Sequence, residues 1–339
     1  MNRSNEIQAD KPQVVVITGA SAGVGRATVR EFARRGAHIG LIARGQDGLN
    51  AAAREVELAG GKALAVPADI ADAQAVEDAA ARIEEALGPI DVWVNNAMVT
   101  IFAPFDQITP EEFRRVTEVT YLGTVHGTQA ALRRMLPRDR GVIVQVGSAL
   151  AYRSIPLQSA YCGAKHAIAG FTDSLRSELL HNRSRVRITA VQLPATNTPQ
   201  FGWARNRMPN RPQPVAPIFE PEVAARAIVW AAGHHRRQVA VGYPTVLAHC
   251  AQKLAPGLAD RYLGATGYDA QQIASEPDSG ERPDNLFEPV AGDHGAHGRF
   301  SEQSCSRSPE LWATEHRNWL LAGAVAGMGV LLWASRRGR

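Results

Sequence analysis

Short β-branched runs alternate with longer amphipathic stretches over the first two thirds of the chain. Val14 to Ile17 is unbroken, the pattern of a strand buried on both faces. Glycines follow it, and apolar positions then recur at helical spacing from Val24 to Arg35. The same reading places further strands near 38–43, 63–66, 91–95, 142–146, 187–192 and 239–241. Helices are expected over 47–59, 73–87, 110–135, 160–180 and 221–232. Pro110 after Thr109 marks a helix start, because proline costs nothing at the first helical position. Strands separated by helices of this length form βαβ units, and right-handed crossovers assemble those into a parallel, doubly wound sheet. The expected fold is therefore α/β and Rossmann-like, with about seven strands, helices on both faces and a C-terminal extension. No repeat at a solenoid period interrupts this pattern.

The alternation ends near Gly242, and one more helical piece covers about 246–254. Residues 1–12 read as a flexible N-terminus and 13–274 as the Rossmann-like domain. Residues 275–310, rich in Gly, Pro, Asp and Ser, read as an irregular linker or surface segment. Residues 311–339 read as an apolar helix with a basic end. Within it, 319–334 is uncharged and would span about 24 Å as a helix, against a hydrocarbon core of about 30 Å. Trp319 and Trp333 suit membrane interfaces, Gly323 and Gly327 form GxxxG, and Arg336, Arg337 and Arg339 follow. The positive end favours a cytoplasmic C-terminus, which would leave a spanning enzyme on the far side from its cofactor. Membrane contact and a helix that covers an apolar patch or mediates self-association both stay open. The expected localisation is cytoplasmic, with membrane association through this helix as the variant.

Composition narrows the chemistry. The formal net charge is +4, and the arginines are scattered without interleaved aromatics, so no nucleic-acid partner is expected. Cys162, Cys250 and Cys305 form no CxxC pair and no zinc spacing, so no metal is expected. The polar stretch from Met1 to Lys11 lacks an apolar core, so no signal peptide is expected.

The run Thr18-Gly19-Ala20-Ser21-Ala22-Gly23-Val24-Gly25 joins the first strand to the first helix. Glycines there admit a pyrophosphate to the backbone, and the helix N-terminus offers free N–H groups and a positive dipole end. Thr18, Gly19, Ser21, Gly23, Val24 and Gly25 are accordingly the expected cofactor loop. Where an NAD site carries an acid at the end of the second strand, this chain has Ala43 and Arg44. A guanidinium suits the 2′-phosphate of NADP, so NADP(H) is expected over NAD(H).

Tyr161 and Lys165, four residues apart in a helical pattern, share one face. A nearby ammonium favours the phenolate and brings its proton transfer towards neutral pH. Ser148 follows the fifth strand, at the sheet edge where such folds gather ligands, and its hydroxyl can orient a carbonyl.

With TGASAGVG at Thr18, Asn95-Asn96-Ala97, Gly147-Ser148 and YCGAK at Tyr161, the chain resembles the short-chain dehydrogenase/reductase family over about Gln13 to Gly242. The resemblance implies hydride transfer between a nicotinamide and a carbonyl or alcohol carbon. It makes Tyr161 the proton donor or acceptor, Lys165 the holder of the nicotinamide ribose, and Ser148 the carbonyl-polarising group. Asp69 matches the family aspartate at the adenine, and Asn95 the asparagine that steadies the sheet beside the cofactor; Ala97 belongs to the same motif. Thr120 stands where the family has its fourth catalytic residue, an asparagine, and Pro194-Ala195 stands for Pro-Gly. From that loop Thr198 is expected to reach the cofactor. The loop 195–220 carries Phe201, Trp203, Met208 and five prolines, which implies a hydrophobic small-molecule substrate. Arg205, Arg207 and Arg211 are expected to be solvated, with an anion site as the alternative. A homo-oligomer is implied by likeness alone. The rival reading is a non-catalytic dinucleotide-binding or membrane-scaffold protein, against which Ser148, Tyr161 and Lys165 together argue.

Overall fold

The computed structural model describes residues 12–320 together with Met328. Its centre is an α/β unit of β1 (Val14–Thr18), α1 (Gly23–Ala33), β2 (His38–Ala43), α2 (Gln46–Leu58), β3 (Ala63–Pro67), α3 (Ala73–Leu87) and β4 (Val92–Asn95). The unit continues through α4 (Pro110–Thr117), α5 (Gly123–Met135), β5 (Val142–Ser148), α6 (Ser159–His181), β6 (Arg187–Leu193), α7 (Pro221–Gly233) and β7 (Gln238–Ala240). Beyond it lie α8 (Tyr243–Leu254), α9 (Pro256–Thr266) and α10 (Pro309–Glu315).

The seven strands form one sheet in the order β7-β6-β5-β4-β1-β2-β3, and every pairing is parallel. All five residues of β1 are buried, as a strand covered on both faces requires. One apolar layer packs α1, α2 and α7 on the sheet through Val29, Phe32, Leu49 and Ile228. The opposite layer uses α3 to α6 through Ile83, Val116, Met135 and Leu179. The strand order reverses between β1 and β4, and a crevice opens there beyond their carboxyl ends.

The helix expected over 110–135 is interrupted. A capping box of Thr109 and Glu112 starts α4, with Pro110 at its first position. A π-helical turn, Glu118–Leu122, then separates α4 from α5. At its centre the Thr120 hydroxyl donates to the Val99 carbonyl (2.9 Å) and accepts from the Val99 N–H (3.2 Å). Gly123 follows against Ile70, where an added Cβ would lie 2.4 Å from Cδ1. Tertiary bonds thus widen one turn that periodicity reads as continuous.

Residues 275–310 carry little regular structure, but they lie on the domain along most of their length. Gln272–Pro277 pairs antiparallel with Asn210–Pro212, and Ser304–Cys305 pairs parallel with Ile218–Phe219. Between these, Leu286 is fully buried among the residues that cover α3 to α6, and Ala296 is buried with Ala27 of α1 and Ala225 of α7. The N-terminal stretch 1–11 lies outside the described residues. So does the apolar run 319–334, except Trp319, Leu320 and Met328, and so do the arginines beyond it. Among the described residues no helix is long and apolar enough to cross a membrane.

Candidate active site

A cavity of about 800 Å³ occupies the crevice. It is lined at one end by the glycine loop and Arg44, at its centre by Ser148, Tyr161 and Lys165, and at the other end by α8 and α9.

The glycine loop folds as close packing demands. Gly19 has φ +67°, and a Cβ on it would sit 2.8 Å from the Ala97 Cα. A Cβ on Gly25 would sit 2.0 Å from the Gly19 carbonyl oxygen, so only glycine lets α1 start against this turn. Gly19, Ser21, Gly23, Val24, Arg44, Asp69, Ala97, Pro194 and Thr198 line the cavity.

Four expected site residues do not line it. Thr18 is buried, and its hydroxyl accepts from the N–H groups of Asn96 (3.0 Å) and Ala97 (3.1 Å), which fastens the β4 turn to β1. Gly25 supplies packing. Asn95 points into the protein, where it donates to Gln145 (2.9 Å) and Thr128 (3.0 Å) and accepts from Trp93 (2.8 Å). That network ties β4, β5 and α5 together. Thr120 is fully buried and spends its hydroxyl on Val99. The residue missed at this position is Asn96, which lines the cavity and donates to the Thr18 carbonyl (3.0 Å). The signal was the alternation of side chains along an extended chain: of two consecutive asparagines, only one faces the crevice.

Ser148 ends β5, and its hydroxyl accepts from the Leu150 N–H at 3.1 Å. Tyr161 sits in the first turn of α6 and Lys165 one turn on, with Nζ 5.5 Å from the Tyr161 ring centroid. Lys165 Nζ donates to the Val146 carbonyl at 2.7 Å. Burial pushes the Tyr161 phenol above its ordinary range, and the Ser148 hydroxyl pulls the other way. Burial also lowers the Lys165 ammonium to about 8. Burial thus favours the neutral phenol, against the pull that a neighbouring ammonium exerts. Cys162, beside it, is buried away from the cavity, and burial raises its thiol.

The loop 195–220 brings Phe201 and Trp203 into the cavity wall, while Met208 packs with Phe102, Leu157 and Ala204. Arg205 is half-buried and Arg207 stays exposed, and a carboxylate engages both guanidinium groups. Both pair with buried Glu112, at 2.9 and 2.6 Å.

Residues 285–298, a strap hereafter, form the outer wall at the glycine-loop end. Arg44 donates to the carbonyls of Asn285, Leu286 and Phe287. Arg115 pairs with Asp69 and donates to the Leu286 carbonyl at 3.0 Å. Arg26 of α1 reaches Asp293 at 3.2 Å, and the Gly23 N–H donates to the Gly295 carbonyl at 3.0 Å. Further on, Asn197 holds Phe300 N and Ser301. Sequence gave no sign of the strap, because its contacts are mostly to backbone atoms. Among the described residues one cluster has metal-ligand character, Glu220, Glu222 and His297, and it ties the strap to the start of α7.

The residues present fit a nicotinamide dinucleotide. The loop cradle admits no side chain, and Lys165 holds three N–H donors with one protein partner.

Comparison with known proteins agrees with this geometry. The sequence profile described as short chain dehydrogenase matches residues 13–208. The uncharacterized oxidoreductase YxnA of Bacillus subtilis is 31% identical over 332 residues, 96% of this chain and 91% of that one. A fatty acyl-CoA reductase of Acinetobacter baylyi is 30% identical over 68% of this chain and 76% of its own. Among solved structures, a Mycobacterium paratuberculosis short chain dehydrogenase bound to NAD aligns with TM-score 0.60 and 26% identity, covering 68% of this chain and 96% of that one. An alcohol dehydrogenase from Thermococcus sibiricus complexed with 5-hydroxy-NADP aligns with TM-score 0.59 and 27% identity, covering the same shares. Structural neighbours thus carry NAD in one case and an NADP derivative in the other, on one fold. The chain belongs to the short chain dehydrogenase family and is an oxidoreductase of that family.

Proposed function

We propose that the protein is an NADPH-dependent reductase of a bulky hydrophobic carbonyl compound, working through Tyr161, Ser148 and Lys165. One observation carries the reading: these three side chains line one cavity together with the glycine loop and the apolar residues of α8 and α9. The dinucleotide supplies the hydride. Lys165, with unfilled donors, holds the ribose of the nicotinamide end. The Ser148 hydroxyl donates to the substrate oxygen and fixes the carbonyl's orientation. Tyr161, kept neutral by burial, gives its proton to that oxygen as negative charge develops on it. A protonated tyrosine suits the reductive direction. Thr120 acts at a remove, as a positioning residue that holds the backbone at Val99 beside the cavity.

Arg44 supports NADPH over NADH, because a cation stands where an NAD site has an acid. Leu247, Ala251, Leu258 and Tyr262 of α8 and α9, with Phe201 and Trp203, support an apolar substrate. The fatty acyl-CoA reductase relative supports the same class.

A panel of ketones and aldehydes of increasing chain length, read by nicotinamide absorbance, tests both halves. Expected is kcat/KM rising with each methylene, by up to about fourfold where about 0.8 kcal/mol of burial is fully used. NADPH is expected to outperform NADH, and Arg44→Asp to reverse the order. Activity confined to short polar carbonyls, or equal use of both cofactors, would overturn the corresponding half.

A further inference from the structure

We infer that the strap is a cofactor-specificity element, in which the carbonyls of residues 285–287 hold the Arg44 guanidinium in place to receive the cofactor's 2′-phosphate. This deepens the NADPH reading and rests on it. The family profile ends at residue 208, so the strap lies beyond the segment that the profile matches.

Arg44 has five N–H donors. Nη1 is committed to Leu286 and Phe287, and Nη2 to Asn285, which leaves Nε and one Nη2 hydrogen unspent. The partners are neutral carbonyls, so the positive charge is held without being cancelled. Arg44 makes no ion pair among the described residues; Asp69 and Glu288 act on it only from a distance, and Arg115 opposes them. A cation half out of water, beside a second arginine and without a carboxylate of its own, is poised for an anion that arrives with a ligand. The cavity wall is where it stands.

The strap owes its position to two features. Leu286 is fully buried in the layer over α3 to α6 and acts as a plug. Asp284 accepts from the Leu286 N–H at 3.0 Å and pairs with Arg205 at 2.9 Å, which sets the turn that aims the three carbonyls. Neither side chain lines the cavity. Their effect on cofactor choice would therefore pass through Arg44. The strap also reaches the glycine loop through Gly295 and Arg26 through Asp293, so it spans the dinucleotide cleft from the ribose side to the pyrophosphate side.

The test is equilibrium binding of NADPH and NADH, by protein fluorescence, to the full chain and to Leu286→Ala and Asp284→Ala. Thermal melts check that each variant is folded, and Asp284→Ala, at a less buried position, serves if Leu286→Ala is not. Expected is a loss of NADPH affinity of about tenfold, the scale of one charge-assisted hydrogen bond, with NADH affinity unchanged. Three results overturn the inference: equal weakening of both cofactors, which marks a general lid; tighter NADPH binding, which marks carbonyls that compete with the phosphate; and an unchanged preference in both variants. An unmutated protein with no NADPH preference would sink the NADPH reading itself, and the strap's role with it. A preference that survives both variants sinks the strap's role alone.

Discussion

Two buried groups at the centre of the cavity define what the site does with protons. Burial keeps Tyr161 neutral, so it donates; burial also lowers Lys165 to about 8, so its charge is within reach of a mild pH change. Below pH 8 the ammonium predominates and can hold ribose hydroxyls with its unfilled donors. Above it, the neutral amine has one donor fewer and no charge. NADPH affinity of the protein is therefore expected to fall as pH rises through about 8, and Lys165→Met to flatten that limb while weakening binding overall. Binding titrations between neutral pH and alkaline pH check this; an unmutated protein with constant affinity across that window would contradict it.

At the scale of elements, ionic contacts reinforce what the apolar layers bring together. Glu55 of α2 binds Arg26 and Arg30 of α1, both at 2.8 Å. Burial pushes its carboxyl upward, but hydrogen bonds from Arg30 and Arg26 prevail and bring it to about 2. The unfolded chain, with a carboxyl near 4.5, therefore binds more protons between those two values. Stability from this group is present above about 4.5 and is lost as pH falls towards 2. The full difference is on the order of 3 kcal/mol. Glu55→Gln is expected to lower the melting temperature at neutral pH and to remove this part of the acid dependence; denaturant titrations at several acid pH values check it. A variant as stable as the parent at pH 7 would contradict the assignment. The π turn at Glu118–Leu122 is the second device at this scale, placed where Thr120 grips Val99 at the cavity edge.

For the whole molecule, what was legible in the sequence follows from which forces leave a pattern. Burial on two faces writes continuous β-branched runs, so Val14 to Ile17 announced a central strand, and the alternation with helices announced a seven-stranded doubly wound sheet. Close backbone approach writes glycine, so the cofactor loop was legible down to Gly19 and Gly23. Tyr161, Lys165 and Ser148 were legible as a constellation, and the structure brings them to one cavity. Contacts through backbone carbonyls write nothing. The strap's grip on Arg44, the pairing of 272–277 with 210–212 and the widened turn at Thr120 left no periodicity to read. Identity at Arg205 and Arg207 likewise said nothing of their partner, because Glu112 lies more than ninety residues away in the chain. Asn95 steadies the sheet, and its neighbour Asn96 faces the crevice, because consecutive side chains on a strand face opposite sides and the motif alone does not say which side holds the crevice.

The claim on which all of this turns is that Tyr161 is the acid in the reductive step, and single-turnover oxidation of bound NADPH by a reactive carbonyl tests it most directly. Tyr161→Phe is expected to bind NADPH about as well as the parent and to oxidise it at least about a hundredfold more slowly, the contribution of a positioned proton donor. Oxidation by the variant at the parent's rate, with cofactor binding intact, would contradict it.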